Sequence, residues 1–135
     1  MIVADVSLIA CFALDTGRPE LAEDVCRADA VWAAPLLWRS EFRNVLGRCL
    51  RAGLTLEAAL LAWEAAEEIL GGREYRVAAA PVLELAWRSG CPAWDCEYVV
   101  LARDLEVPLV TADRRILRAF PREAVSLEQF GKQKL

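Results

Sequence analysis

Residues 92–113 combine a helical pattern, a tight turn and a short apolar strand, and they decide what fold this chain can adopt. The turn is the tripeptide 106–108, and the strand 109–111 that follows it carries no charge. An uncharged strand that follows a helix across a short turn is typical of a buried parallel sheet. Asp113 comes directly after this strand, at the sheet edge where open α/β folds bind their ligands. The segment therefore predicts an α/β domain with a carboxylate at its ligand crevice.

The helix predicted over residues 92–105 has one apolar face. That face carries Trp94, Tyr98, Leu101, Ala102 and Leu105. Asp95 lies beside the apolar face, whereas Glu97 and Asp104 are predicted to lie on the polar side. A carboxylate among apolar neighbours is unfavourable unless something pairs with it. We therefore expect Asp95 and Asp113 to meet at one place.

Short apolar strands alternate with helices along the whole chain. Strands are predicted at 1–4, 30–34, 75–77, 109–111 and 124–126. Helices are predicted at 8–14, 19–28, 35–52, 55–70, 81–89, 92–105 and 114–119. This order predicts a three-layer α/β/α domain around a central parallel sheet. A chain of 135 residues suits one domain, placed at residues 1–130, with residues 131–135 as a frayed tail.

The composition excludes several classes of function. There is no histidine, which excludes Ser-His and Cys-His catalysis and any His-ligated zinc site. Five cysteines without a C-x-x-C pair favour free thiols in a reducing cytoplasm. No apolar run approaches the roughly 20 residues of a membrane span, and no targeting segment is visible. With a net charge of −4, only local basic patches are expected to bind nucleic acid.

Four acids stand at positions that do not face solvent in this pattern. They are Asp5 after the first strand, Glu41 on the inward edge of the long helix, Asp95 in a first helical turn, and Asp113. Each has an ordinary alternative, such as a helix N-cap for Asp113 or a turn for Asp5. Clustered carboxylates without histidine are, however, the ligands that Mg²⁺ or Mn²⁺ requires.

Four motifs occur in the order V-A-D-x-S, W-x-x-E-F-x-N-V-L, A-W-D-x-x-Y-x-x-L-A and P-L-V-T-A-D-R-R-I. Together they resemble the PIN domain, and most closely the VapC-type toxins of bacterial and archaeal toxin–antitoxin pairs. The resemblance covers nearly the whole chain. Val6, where Thr is common, and Trp94, where Tyr is common, are mild departures that remove no acid.

The resemblance implies a role for each matching acid. Asp5, Asp95 and Asp113 are expected to hold Mg²⁺ or Mn²⁺ directly or through water, and Glu41 is expected to be a further ligand or to orient the attacking water. Bound cations would neutralise the phosphate and leaving oxygen during RNA cleavage. Without a cation the carboxylates would repel one another, which raises some of their pKa values.

The resemblance also implies supporting residues. Ser7, Thr111 and Asn44 are expected to support the acids. Thr111 equally suits a strand as a β-branched residue, and Asn44 equally suits a solvent-facing position. Arg114 and Arg115 are candidates for RNA contact because they adjoin Asp113. The other arginines are interpreted as solvated helix faces.

The expected function is therefore a metal-dependent endoribonuclease, the toxin of a type II pair, which a cognate antitoxin keeps silent. A non-toxic nuclease of RNA processing and a catalytically idle binding module are the alternatives. A phosphoaspartyl enzyme is rejected because Ser7 stands where its second aspartate would be.

The resemblance implies an antitoxin and a homodimer, and the residues themselves indicate candidate contact surfaces. A homodimer through apolar helix faces is expected, with Trp63 and Trp87 as candidate contacts. The antitoxin is expected to dock on Leu56, Leu60 and Trp63, near Trp38 and Leu37, and to place an arginine among the acids.

Overall fold

The computed structural model describes residues 1–15 and 17–133. Its strands form one sheet in the order β3-β2-β1-β4-β5, and every pair of neighbours is parallel. The strands are β1 (Ile2–Ala4), β2 (Trp32–Pro35), β3 (Glu74–Tyr75), β4 (Leu109–Thr111) and β5 (Ala124–Ser126). The prediction of a central parallel sheet is confirmed.

Eight helices flank this sheet in the part of the chain that the structure describes. They are α1 (Val6–Leu14), α2 (Pro19–Ala28), α3 (Trp38–Arg51), α4 (Leu56–Leu70), α5 (Ala79–Ser89), α6 (Ala93–Leu105), α7 (Arg114–Ala119) and α8 (Leu127–Lys132). None of them is both long and apolar enough to cross a membrane.

The core has two halves because successive residues of a strand point to opposite faces of the sheet. Ile2 and Ala4 pack into the half formed with α1, α2, α3, α4 and α8, whereas Val3 packs into the half formed with α5, α6 and α7. The three-layer α/β/α architecture predicted from the sequence is therefore confirmed.

Two boundaries differ from the prediction. Pro35, expected to begin the long helix, instead ends β2 opposite Tyr75, and the next residue continues the ladder as Leu36 N–H donates to the Tyr75 carbonyl at 3.0 Å. Helix α3 begins only at Trp38. The proline is tolerated because the N–H groups of Ala34 and Leu36 make the hydrogen bonds to β3, and the pairing with β1 ends before position 35.

Helix α8 is absent from the predicted elements. The Ser126 hydroxyl accepts from the Gln129 backbone N–H at 3.2 Å, a helix-capping pattern that the sequence does contain. Helix α8 extends to Lys132, into the segment predicted to be a frayed tail. Gly131 is buried there, and a Cβ at this position would lie 2.8 Å from the Asp24 side chain. The last two residues of the predicted tail, 134 and 135, lie outside the described residues.

The order of the strands in the sheet determines where a ligand crevice can form. The chain passes from β1 to β2 on one side of the sheet and later returns to β4 on the other side of β1. The carboxyl ends of β1 and β4 therefore flank the point where the strand order reverses, and such a crevice is where open α/β sheets bind ligands. The register pairs Ala4 with Val110, so Asp5 and Thr111 follow at the same edge.

Candidate active site

Asp5 is held at this crevice by two hydroxyl groups. Its side chain is buried, and its Oδ2 accepts hydrogen bonds from Ser7 Oγ at 2.8 Å and from Thr111 Oγ1 at 2.7 Å. Ser7 Oγ also accepts from the Ala112 backbone N–H at 3.0 Å, which ties the start of α1 to the end of β4. Burial raises the pKa of Asp5, and the two hydroxyl bonds offset part of that rise. The structure thus places Ser7 and Thr111 directly on Asp5.

Asp113 lies at the end of the same strand, and it is also the N-cap of α7. Its Oδ1 accepts from the Arg115 backbone N–H at 2.8 Å, and its own N–H donates to Thr111 Oγ1 at 2.9 Å. The ordinary alternative of a helix cap is therefore real. It uses one carboxylate oxygen of Asp113, while the other oxygen lies 3.8 Å from the Arg115 guanidinium.

Asp95 enters from the first turn of α6. It is only 6% exposed, and the Arg115 guanidinium donates to its Oδ2 at 2.9 Å. Burial nevertheless raises the pKa of Asp95, opposed by Arg115 and reinforced by the charges of Asp113 and Asp5. Because the Arg115 side chain is 54% exposed, water screens much of its charge. Arg115, predicted to contact RNA, here bridges two of the four acids.

Glu41 comes from α3 and completes the group. Its Oε1 accepts from the Tyr98 hydroxyl at 2.7 Å, and Tyr98 is buried. Burial raises the pKa of Glu41 to about 7, with the Tyr98 bond lowering it and Asp5, Asp95 and Glu97 raising it further. The four acids therefore influence one another electrostatically across the crevice.

Tyr98 is a site residue, although its position on the apolar face of the helix predicts only a core role. It lies one turn after Asp95 on α6, so both side chains project from neighbouring positions of the same helix. A buried tyrosine hydroxyl usually requires a hydrogen-bond partner. The position of Tyr98 three residues after Asp95 was the sequence signal that this partner would be a group of the site.

Glu97 was predicted to face solvent, and that prediction is wrong. It is partly buried, burial raises its pKa, and its charge contributes to the raised pKa values of Glu41 and Tyr98. Glu97 lines a cavity of about 240 Å³ with Val77 and Val82. The segment leading into α5 covers the side of α6 that a helical projection alone assigns to solvent. Asp104 is exposed, as predicted.

Two further side chains lie apart from their predicted places. Asn44 is exposed and forms no side-chain hydrogen bond within residues 1–15 and 17–133, because it projects from the outer side of α3. Trp94 was predicted on the apolar face of its helix, yet it is 54% exposed. Asp95 and Cys96 of the same turn are buried, so of these three side chains Trp94 alone projects toward solvent.

The chemistry of this donor set fits a hard divalent cation. All the site's side-chain ligands are carboxylate or hydroxyl oxygens, which Mg²⁺ and Mn²⁺ prefer, and their negative charge exceeds the single positive charge of Arg115. No three acidic or cysteine side chains of the described residues converge as a ready metal-binding group. The carboxylates are instead engaged by Tyr98, by Arg115 and by the two hydroxyls. A cation shared by Asp95 and Asp113 would therefore compete with Arg115.

The sequence matches no protein-family model, and it is not significantly similar to any curated protein. Among solved structures, the fold is similar to that of PAE2754 from Pyrobaculum aerophilum, with a TM-score of 0.74 and 20% sequence identity. The match covers 96% of this chain and 92% of that one. At such low identity the likeness concerns the fold alone. The chain thus shares its α/β fold with PAE2754 over nearly the full length of both proteins.

Proposed function

We propose that this chain is a metal-dependent endoribonuclease of the PIN-domain type. The observation that carries the proposal is the group of acids Asp5, Glu41, Asp95 and Asp113 at the switch point of the sheet. Burial and mutual repulsion raise the pKa values of three of them, which marks a site lacking positive charge. A divalent cation would supply that charge. The four sequence motifs that resemble PIN domains supply these same acids.

The environment of each acidic residue indicates its role in the proposed reaction. Asp5, Asp95 and Asp113 would hold Mg²⁺ or Mn²⁺, which when bound supplies an activated water and neutralises the phosphate. Ser7 and Thr111 fix the carboxylate of Asp5 through the hydrogen bonds already described. Such supporting contacts are typically worth about 10- to 100-fold in metal affinity or activity.

Glu41 is suited to proton transfer. Its pKa of about 7 is near neutral, where a general base is most effective. The Tyr98 hydroxyl at 2.7 Å holds one of its oxygens and leaves the other to orient a water.

An RNA cleavage experiment tests this function. The purified chain should cut single-stranded RNA in Mn²⁺ or Mg²⁺ and stop in EDTA. Asp5→Asn, Asp95→Asn and Asp113→Asn should each abolish cleavage, whereas Asp104→Asn, on the exposed side of α6, should retain it. Cleavage that persists in EDTA, or equal activity of Asp5→Asn and Asp104→Asn, would reject the metal-dependent site. Metal binding without cleavage would instead favour the idle binding module.

The toxin role is a further part of the proposal, and it includes a cognate antitoxin and a homodimer. A groove of about 360 Å³ between α3 and α4 supports a docking surface for the antitoxin. Leu56 and Leu60 are 64% and 56% exposed on it, and Trp63 stacks on Trp38 with ring centroids 5.0 Å apart. Trp38 itself is fully buried, so it supports the groove from below and does not contribute surface. Trp87, a candidate dimer contact, is 82% exposed.

Expression tests the toxin role separately from the chemistry. The intact chain should arrest growth, Asp5→Asn should not, and co-expression of the adjacent gene should restore growth. A chain that cuts RNA when purified yet is harmless at high expression would instead be the non-toxic RNA-processing nuclease.

A further inference from the structure

We infer that Trp94 is a stacking platform for a nucleobase of single-stranded RNA beside the acid cluster. This inference rests on the proposed ribonuclease function and names how its substrate is held. It concerns a side chain that the metal-binding set does not use.

Trp94 differs from the tryptophans that build the fold. Trp32 and Trp38 are buried, and their indole N–H groups donate to the Asp29 carbonyl at 2.8 Å and to Glu74 at 2.7 Å. Trp63 is stacked against Trp38. Trp94, in contrast, is 54% exposed and has no ring contact or indole hydrogen bond within the described residues. Neither face of its ring is therefore occupied by another aromatic side chain of the described residues.

Exposure alone means little, since single exposed apolar residues are common; the position of Trp94 is what points to a ligand. It directly precedes Asp95, and across a trans peptide their Cα atoms lie about 3.8 Å apart. Asp95 in turn contacts Arg115 at 2.9 Å. The first turn of α6, which carries Trp94, thus lies across Asp95 from the arginines at the start of α7.

The arginines supply what a single-stranded nucleic acid needs besides stacking. Arg114 and Arg118, one turn apart on α7, are exposed, and they form no ion pair with any residue the structure describes. They are a local basic patch on a chain whose net charge is −4. Proteins that bind single strands combine such phosphate contacts with aromatic side chains on which the bases stack. A duplex keeps its bases stacked inside, so this pairing of indole and arginines favours an unpaired strand.

Binding of RNA without cleavage is the test. In the Asp5→Asn background, a fluorescein-labelled unstructured 12-nucleotide RNA is titrated with the protein in Mg²⁺, and its anisotropy is measured. Adding Trp94→Ala should weaken binding about 5- to 150-fold, the measured range for loss of one stacked base. Trp94→Phe, made in place of Trp94→Ala, should retain most of the affinity for the RNA. Leu61→Ala, which removes a similarly exposed apolar side chain outside both the acid cluster and the α3–α4 groove, is the control and should have no effect.

A series of RNAs with one abasic nucleotide at successive positions shows whether Trp94 contacts a base. One abasic position should weaken binding to the parent protein, and this loss should disappear in Trp94→Ala because the stacking partner is already gone. Persistence of the loss in Trp94→Ala overturns the inference. Equal affinities of Trp94→Ala and Leu61→Ala, or no RNA binding by any form, also overturn it. A change in oligomeric state alone would make Trp94 a protein contact and would overturn it too.

The outcomes separate the inference from the proposed function. If the native chain cuts RNA while Trp94→Ala binds RNA as well as Leu61→Ala does, the stacking role of Trp94 is rejected and the nuclease stands. If RNA is bound with the expected dependence on the abasic position but is never cut, the nuclease function is rejected and the stacking role of Trp94 stands.

Discussion

Glu41 shows how the fold changes the chemistry of a single side chain. On an exposed helix it would be an ordinary acid, with a pKa near 4.5; in the crevice, burial and neighbouring carboxylates raise that pKa to about 7. The folded state therefore holds the proton of Glu41 more tightly than the unfolded state does. Its contribution to stability is fully present below about pH 4.5 and is lost as the pH rises through about 7. Asp5 and Asp95, whose pKa values are also raised, act in the same direction.

We predict that Glu41→Gln removes the part of this pH dependence that Glu41 contributes. In EDTA its melting temperature relative to the native chain should rise steadily between pH 5 and pH 8, because glutamine cannot ionise. Thermal melts at a series of pH values measure the difference, with Asp104→Asn as the exposed control. A difference between Glu41→Gln and the native chain that is the same at every pH would contradict the raised pKa.

Arg115 offers a second prediction, since it partly neutralises Asp95 and Asp113. Arg115→Gln should lower stability in EDTA at pH 7.5 by roughly 1 kcal/mol, the upper range for exposed ion pairs. It should also increase the rise in melting temperature caused by Mn²⁺, because the guanidinium no longer competes for the two carboxylates. Arg114→Gln, which removes a neighbouring arginine that forms no ion pair in the described chain, is the matched control. Equal responses of the two variants to Mn²⁺ would show that Arg115 does not compete.

Among the elements, α6 connects the fold to the site. Residues Tyr98 to Ala102 are buried against the sheet and α5. This packing fixes the axis of the helix and aims its first turn at the crevice. The same turn delivers Asp95 inward and Trp94 outward. A single helix start thus supplies one acid and, by our inference, one base-stacking surface.

Helices α3 and α4 form the groove proposed for the antitoxin, and this yields a third prediction. Leu60→Glu should abolish neutralisation by the adjacent gene product while RNA cleavage is unchanged, because Leu60 lines the groove and lies outside the acid cluster. Leu61→Glu is the matched control, since Leu61 is 59% exposed on the same helix but does not line the groove. Growth rescue on co-expression measures the effect. Equal rescue of both variants would show that the antitoxin does not dock in this groove.

Much of the overall architecture could be predicted from the sequence. Charge-free runs such as residues 109–111 indicate buried parallel strands, and parallel strands end at one edge, which is why Asp5 and Asp113 could be expected to meet. Helix α8 was missed although α7, also six residues long, was predicted, because its last two residues were assigned to a frayed tail. Its Ser126 cap was the available signal.

The contacts of the site were harder to predict. The sequence cannot show that α5 covers Glu97, since a helical projection contains no neighbouring helix. Likewise, the bridge from Arg115 to Asp95 depends on how far a side chain on α7 reaches across to α6. Such contacts join residues that are distant in sequence, and they exist only once the layers are packed.

The proposed function depends on the acid cluster binding a divalent cation, and calorimetric titration of the purified chain with Mn²⁺ at pH 7 measures this. The native chain should bind Mn²⁺ and release protons, since bound cation displaces protons held by acids of raised pKa. Proton release is read from the dependence of the heat on the buffer's ionisation enthalpy. Asp104→Asn should bind equally well, whereas Asp5→Asn should lose binding. Absence of Mn²⁺ binding by the native chain, or undiminished binding by Asp5→Asn, would contradict a metal-dependent site at this crevice.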